Sequence, residues 1–177
     1  MRPIERIDNF LKLVNWEKVL KRWNINGFAH YDLFTCDKCS GEGEISPDYD
    51  ICEKCNGSGQ LYAIFLKYWK ENFDQRIGQV LINLDLIPDN FKIRVDEESD
   101  ILIDQGISPE ECLYWTSLYD ENENLLDKPI TRLIKDLEPN HIKRILKGHY
   151  KRLSENYRKA FDNILQAYCP GIIYDIQ

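Results

Sequence analysis

Apolar residues recur at helical spacing near the start of the chain: Ile4, Ile7, Phe10, Leu11, Val14, Val19 and Leu20. Steps of three and four put them on one face, which predicts an amphipathic helix between Pro3 and Trp23, ending at Asn26-Gly27. Leu61 to Trp69 is an apolar run that leads into a further helix. Asp74 is placed to cap another, running to about Leu86 before Pro88-Asp89-Asn90 breaks it. Phe91, Ile93 and Val95 alternate with Lys92, Arg94 and Asp96, a strand pattern. Ser108-Pro109-Glu110-Glu111 reads as a capping box with proline at the first helical position, and predicts a helix through Tyr119. Asp120 to Asp127 reads as a polar turn. Pro129 and Pro139 each open a helix, the second predicted over 139–168 with Gly148 as its bend. At 1.5 Å per residue that helix is about 45 Å long. Gly171-Ile172-Ile173-Tyr174 closes a short strand. The pattern therefore predicts a mainly α fold with a small β component (α+β).

The helical pattern stops at Cys36. Cys36-Asp37-Lys38-Cys39-Ser40-Gly41-Glu42-Gly43 and Cys52-Glu53-Lys54-Cys55-Asn56-Gly57-Ser58-Gly59 both read C-x-x-C-x-G-x-G, with twelve residues between the cysteine pairs. A two-residue gap lets two thiolates of one tight knuckle face a single ion, and two knuckles complete a tetrahedral four-sulfur shell. The glycines let backbone amides turn toward the sulfurs, which demands positive φ. A small hairpin through Ser46-Pro47-Asp48 joins the knuckles. One structural Zn²⁺ held by Cys36, Cys39, Cys52 and Cys55 is the expected occupant. An iron site of the same geometry and a pair of disulfides are the alternatives, the latter requiring an export signal that does not follow Met1-Arg2. Four sulfur ligands leave no open position for a substrate water, so the metal is expected to be structural.

The doubled motif resembles half of the cysteine-rich zinc domain of DnaJ-type co-chaperones. The resemblance covers residues 36–60 and implies that Cys36, Cys39, Cys52 and Cys55 are the ligands. It implies no chaperone activity, because the chain has no His-Pro-Asp tripeptide and no Gly/Phe-rich linker. A looser resemblance, over residues 69–84 with the core Asp74-x-Arg76-x-Gly78-Gln79-x-Leu81 and over 119–146, is to short uncharacterised phage and prophage proteins. The expected organisation is an N-terminal helical segment (1–35), an inserted knuckle module (36–60) and a mainly helical remainder (61–177) forming one compact unit with the first.

Charge divides the chain. Residues 92–128 carry eleven acidic and three basic side chains, densest at Asp96-Glu97-Glu98-Ser99-Asp100, whereas 129–177 carry nine basic and five acidic. The total of −7 excludes a uniformly basic nucleic-acid binder. Lys143, Lys147 and Lys151 form an i, i+4 stripe with Arg144 and Arg152 beside it, opposite an apolar stripe that includes Ile142, Ile145 and Leu146. This face serves either as a solvated surface or as a contact for nucleic acid, with Tyr150 and Tyr157 as stacking partners. Asp96, Glu97, Glu98 and Asp100 serve either solubility or the occupation of a basic channel in a partner.

No phosphate loop, H-E-x-x-H or G-x-S-x-G elbow is present. His141 and His149 lie about 80° apart on a helical wheel, poor geometry for a pair of bases. His30 is surplus to a complete sulfur shell, and Cys112 reads as a small core hydrophobe. Cys169 is a second lone thiol. The longest apolar run, Leu61 to Leu66, is far short of the ~20 residues that span a bilayer, so a cytoplasmic location is expected. The expected function is that of a non-enzymatic, zinc-stabilised interaction protein, phage-encoded, acting on a host or phage protein or ribonucleoprotein complex. Inhibition of a host defence such as CRISPR is one version. The alternative is a zinc-ribbon nucleic-acid-binding or regulatory protein using helix 141–159.

Overall fold

A computed structural model describes residues 4–22, 33–45, 49–87, 98–120 and 124–168. The chain groups into two compact units, residues 1–101 and 102–177. Both are mainly helical, and each holds one two-stranded antiparallel sheet among the described residues. The fold class is thus mainly α with a small β component, as the apolar periodicity predicts.

The first unit begins with α1 (Glu5–Leu13) and α2 (Trp16–Arg22). The predicted single helix is broken because Val14 turns extended and Asn15 caps α2, its Oδ1 accepting the Lys18 amide at 3.1 Å. Strands β1 (Glu44–Ile45) and β2 (Asp50–Ile51) follow, then α3 (Tyr62–Glu71) and α4 (Ile77–Asn83). Arg76, not Asp74, caps α4: its backbone amide donates to Gln79 Oε1 at 3.0 Å, completing a capping box. Arg76 and Gln79 of the Asp74–Leu81 motif therefore start a helix.

Ile7, Phe10, Val19, Leu20, Phe34, Phe65, Trp69, Ile77 and Leu81 are buried in this unit. Its rings meet edge to face: Phe10 lies 5.7 Å from Trp69, and Phe34 lies 5.3 Å from Trp16 and 4.8 Å from Tyr62. Arg6 crosses this core. Its guanidinium pairs with Glu98 at 2.5 Å, donates to the Phe73 and Gln75 carbonyls, and lies 5.7 Å from the Trp69 ring centroid. Glu98 in turn accepts the Ile77 amide at 3.0 Å. One buried ion pair thus joins α1, the turn before α4, and the start of α5 (Glu98–Asp104).

Helix α5 carries the chain into the second unit and ends on Gly106, whose φ of +94° supports the closing Ile107 amide to Leu102 carbonyl bond. The predicted helix after Ser108 is a single turn, α6 (Pro109–Cys112). Tyr114-Trp115-Thr116-Ser117-Leu118-Tyr119 is aromatic and hydroxyl-rich, and it forms β3 (Tyr114–Tyr119) against β4 (Leu125–Leu133). Pro129 opens no helix. It sits where the register slips between Ser117↔Ile130 and Tyr119↔Leu125, an irregularity that tolerates a residue with no amide to donate.

A short 3₁₀ turn (Ile134–Asp136) leads to α7 (Pro139–His149), a second 3₁₀ turn (Tyr150–Arg152) and α8 (Glu155–Tyr168). The predicted 139–168 helix is two helices, because Leu153 turns extended and enters the core with Ile142, Ile145, Leu146, Phe161 and Leu165. Gly148 lies inside α7 with open space around it, so it is not the break. The predicted helix end at Trp23 to Gly27, the strands at 91–96 and 171–174, the Ser46-Pro47-Asp48 turn, His30 and Cys169 lie outside the described residues. Among the described residues no helix is long and apolar enough to cross a membrane.

Removing one partner of the buried pair leaves the other charge stranded. Glu98→Ala is expected to lower the stability of the first unit by about 3–5 kcal/mol in chemical denaturation. Lys70→Ala, which removes the exposed pair with Asp8, should cost under about 1 kcal/mol.

Candidate metal centre

The chain enters and leaves the cysteine module through one narrow neck. The Leu61 amide donates to the Phe34 carbonyl at 2.7 Å, Thr35 and Gln60 form an antiparallel bridge, and the Cys36 amide donates to the Gly59 carbonyl at 2.9 Å. Within the neck the two knuckles repeat each other bond for bond. Gly41 and Gly57 amides donate to the Cys36 and Cys52 carbonyls, both at 3.1 Å. Gly43 and Gly59 amides donate to the sulfurs of Cys39 and Cys55, both at 3.3 Å. The Cys52 amide donates to the Gly43 carbonyl at 2.8 Å, the counterpart of the Cys36–Gly59 bond.

Glycine is required at two of these positions for a steric reason as well as for its φ. A Cβ on Gly43 would lie 2.3 Å from the Gly57 oxygen, and one on Gly59 would lie 2.0 Å from the Gly41 oxygen. The knuckles pack through their glycine backbones, each closing over the other. β1 and β2 pair Glu44 with Ile51 and Ile45 with Asp50, so the link between the knuckles is the expected hairpin.

The four sulfurs lie within 4.8 Å of one another, with Cys36–Cys52 and Cys39–Cys55 both at 3.7 Å. A Zn–S bond of about 2.3 Å places the corners of a sulfur tetrahedron about 3.8 Å apart, so the spacing fits one ion at the centre. All four cysteines are buried, and none is in a disulfide. Without metal, burial pushes the Cys36 thiol up to about 12. Burial also opposes ionisation of Cys39, but the Gly43 and Gly41 amides and the neighbouring thiols hold it at about 7. A dication resolves this conflict by taking the thiolate charge that the buried site otherwise disfavours. The group can hold one metal ion, and four sulfur ligands would leave that ion no open coordination position.

Around the sulfurs the module is acidic and exposed. Glu42, Glu44, Asp50 and Glu53 are at the surface. Lys54 pairs with Asp37 across the two knuckles at 2.7 Å and holds that carboxyl below its ordinary range. Tyr49 and Ile51, on the hairpin, are 76% and 67% exposed. Sequence reasoning passed over these two; the available signal was a pair of large side chains, Tyr49 and Ile51, beside Pro47-Asp48 in an otherwise polar stretch.

The other residues singled out from sequence have varied surroundings. Glu98 is buried against Arg6, which removes it from any exposed acidic face, and Asp100 is half-buried. Asp96 and Glu97 lie outside the described residues. Lys143 and Lys147 are exposed on α7 with Arg144 half-buried beside them, while Lys151 and Arg152 belong to the 3₁₀ turn that ends the helical stripe. Tyr157 is no free stacking platform: its hydroxyl donates to the Tyr114 carbonyl at 2.8 Å and its ring packs on Phe161. Tyr150 is covered by the Arg158 guanidinium at 4.9 Å. Compared with protein-family models, curated proteins and solved structures, the chain matches none.

Protein purified under reducing conditions is expected to carry one metal ion per chain by elemental analysis; a folded, metal-free chain would contradict the site. Gly59→Ala, which drives a methyl group into the Gly41 carbonyl, should cut that stoichiometry well below one while the cysteines remain.

Proposed function

We propose that the chain is a zinc-stabilised interaction protein with no catalytic activity of its own, and that its knuckle hairpin is the docking element. The observation that carries this reading is the division of labour in residues 34–61. The cysteines are buried around one point, while the hairpin they hold presents Tyr49 and Ile51 within an acidic surface. Zinc suits four thiolates in a closed tetrahedral shell, and such a shell supplies folding energy rather than chemistry. Iron in the same cage absorbs visible light and is recognised at once by colour. Free thiolates persist in a reducing compartment, in keeping with a cytoplasmic setting.

Tyr49 strengthens the case. It is a bulky residue at φ +57°, a conformation that costs an L-residue roughly 1 kcal/mol, and yet its ring is left in solvent. Strain kept at an exposed aromatic points to a contact made with another molecule. The partner chemistry that suits this surface is a basic protein patch with an apolar socket, since rim carboxylates steer encounter and central apolar side chains hold it. A host or phage complex that handles nucleic acid offers such patches, and action on a defence complex of that kind is the specific form of the proposal suggested by the phage-like resemblance.

Tyr49→Gly combined with Ile51→Ser is expected to leave zinc content and thermal stability intact, since glycine relieves the positive φ. Capture of a nuclease-resistant complex from bacterial lysate should fall at least roughly tenfold, the loss of one good anchor contact. Undiminished capture by this variant, or capture abolished by nuclease, would contradict the docking role of the hairpin.

A further inference from the structure

Residues 102–177 carry a groove that neither the metal centre nor the core accounts for. Trp115 and Tyr119 of β3 face His141, Arg144 and His149 of α7 across a space of about 640 Å³. A smaller recess of about 150 Å³ shares Trp115, Tyr119 and His141 and adds Arg132 and Leu126. The volume falls in the range of small-ligand sites.

Two features show that the groove is built. First, the Trp115 indole is fixed by three rings, Phe161 at 5.8 Å, Tyr157 at 6.2 Å and His149 at 6.1 Å. Tyr157 is itself anchored by its bond to the Tyr114 carbonyl. Second, the register slip in β4 sets Leu126 to Pro129 against the single residue Leu118, and this irregularity brings Leu126 into the recess. Such bulges re-aim side chains beside binding sites.

The chemistry of the lining is specific. Arg144 supplies a guanidinium to the larger space and Arg132 one to the adjoining recess, and His141 and His149 supply imidazoles. Among the described lining residues Asp120 is the one carboxylate, and its oxygens accept from the Asn124 amide at 2.8 Å and side chain at 3.0 Å. A rigid indole beside two guanidiniums matches a ligand that joins a flat aromatic ring to an anion. An acidic peptide would use the arginines and leave the indole unused.

We propose that this groove binds a nucleoside phosphate, its base stacked on Trp115 and its phosphate held by Arg144 and Arg132. Stacking platforms joined to cationic side chains are the common means of holding nucleotides, free or within a single strand. This site is separate from the hairpin on which the docking proposal rests, so either can fail alone.

The test uses the full, metal-loaded chain and nuclear magnetic resonance of the Trp115 indole N–H and the His141 and His149 ring protons. Adenosine monophosphate and a short single-stranded oligoadenylate are the probes. Both are expected to shift these signals, and Arg132→Glu with Arg144→Glu should weaken binding at least roughly tenfold. Because Trp115 also packs against Tyr157 and Phe161, Tyr119→Ala, at a groove residue 53% exposed, is the second variant and should weaken binding with the fold intact. An oligonucleotide that binds far more tightly than the monophosphate identifies a strand as the source, with a salt slope of about −0.7 per phosphate contact. Equal affinities identify the free nucleotide. Unmoved Trp115 and His signals at millimolar probe, or equal shifts from a polyglutamate peptide, would overturn the proposal.

Discussion

Four thiolates converging on one buried point are unfavourable without a cation, and the geometry of residues 34–61 fits that constraint. Each sulfur must be brought within about 4 Å of its neighbours by a backbone that also satisfies its own polar groups. The knuckles do this by turning glycine amides onto the Cys39 and Cys55 sulfurs and by exchanging main-chain bonds through Gly43 and Gly59. The same bonds close the neck at Thr35 and Gln60, which holds Phe34 against Tyr62 and Phe65. The metal cage and the aromatic core of the first unit are therefore continuous along the chain. An ion in the cage constrains the start of α3 as well as the hairpin.

The two units solve the problem of burying charge differently. In the first, the thiolate charge calls for a cation, and Arg6 and Glu98 neutralise each other under the Trp69 ring. Breaking such a pair is costly even when the pair itself adds little net stability. The second unit has no comparable ion pair in its core among the described residues; it is held by Ile134, Ile142, Leu146, Phe161 and Leu165. Its charged side chains stay near the surface of α7 and around the groove beside β3. A protein whose acidic hairpin and cationic groove sit on separate units can present two surfaces of opposite charge.

The legible parts of this fold were those set by local chemistry. Repeated C-x-x-C-x-G-x-G encodes its own geometry, so all four clustered cysteines were named from spacing alone. Amphipathic faces in α1, α7 and α8 follow from periodicity, the apolar run from Leu61 leads into α3, and Pro139 marks the start of α7. Helix ends were harder. Asn15 and Leu153 interrupt otherwise continuous apolar patterns because capping and core packing outweigh periodicity there. The turn after Ser108 began where its capping signal stood, but Tyr114 to Tyr119 went to a strand that pairs with residues beyond the turn. The burial of Glu98 was invisible within an acidic run because its partner, Arg6, lies at the other end of the first unit. For the same reason the groove is not legible in the sequence: Trp115, Arg132 and Arg144 come to line it only once β3, β4 and α7 are in place.

Hydrogen exchange of the metal-loaded chain and of the chain after chelation under reducing conditions tests the central claim most directly. The account predicts that chelation strips protection from the Gly41, Gly43, Gly57 and Gly59 amides and from the neck at Cys36 and Leu61. Amides of α7 and α8 should keep theirs. Unchanged protection of the knuckle amides after complete metal removal would contradict the claim that the ion organises this part of the protein.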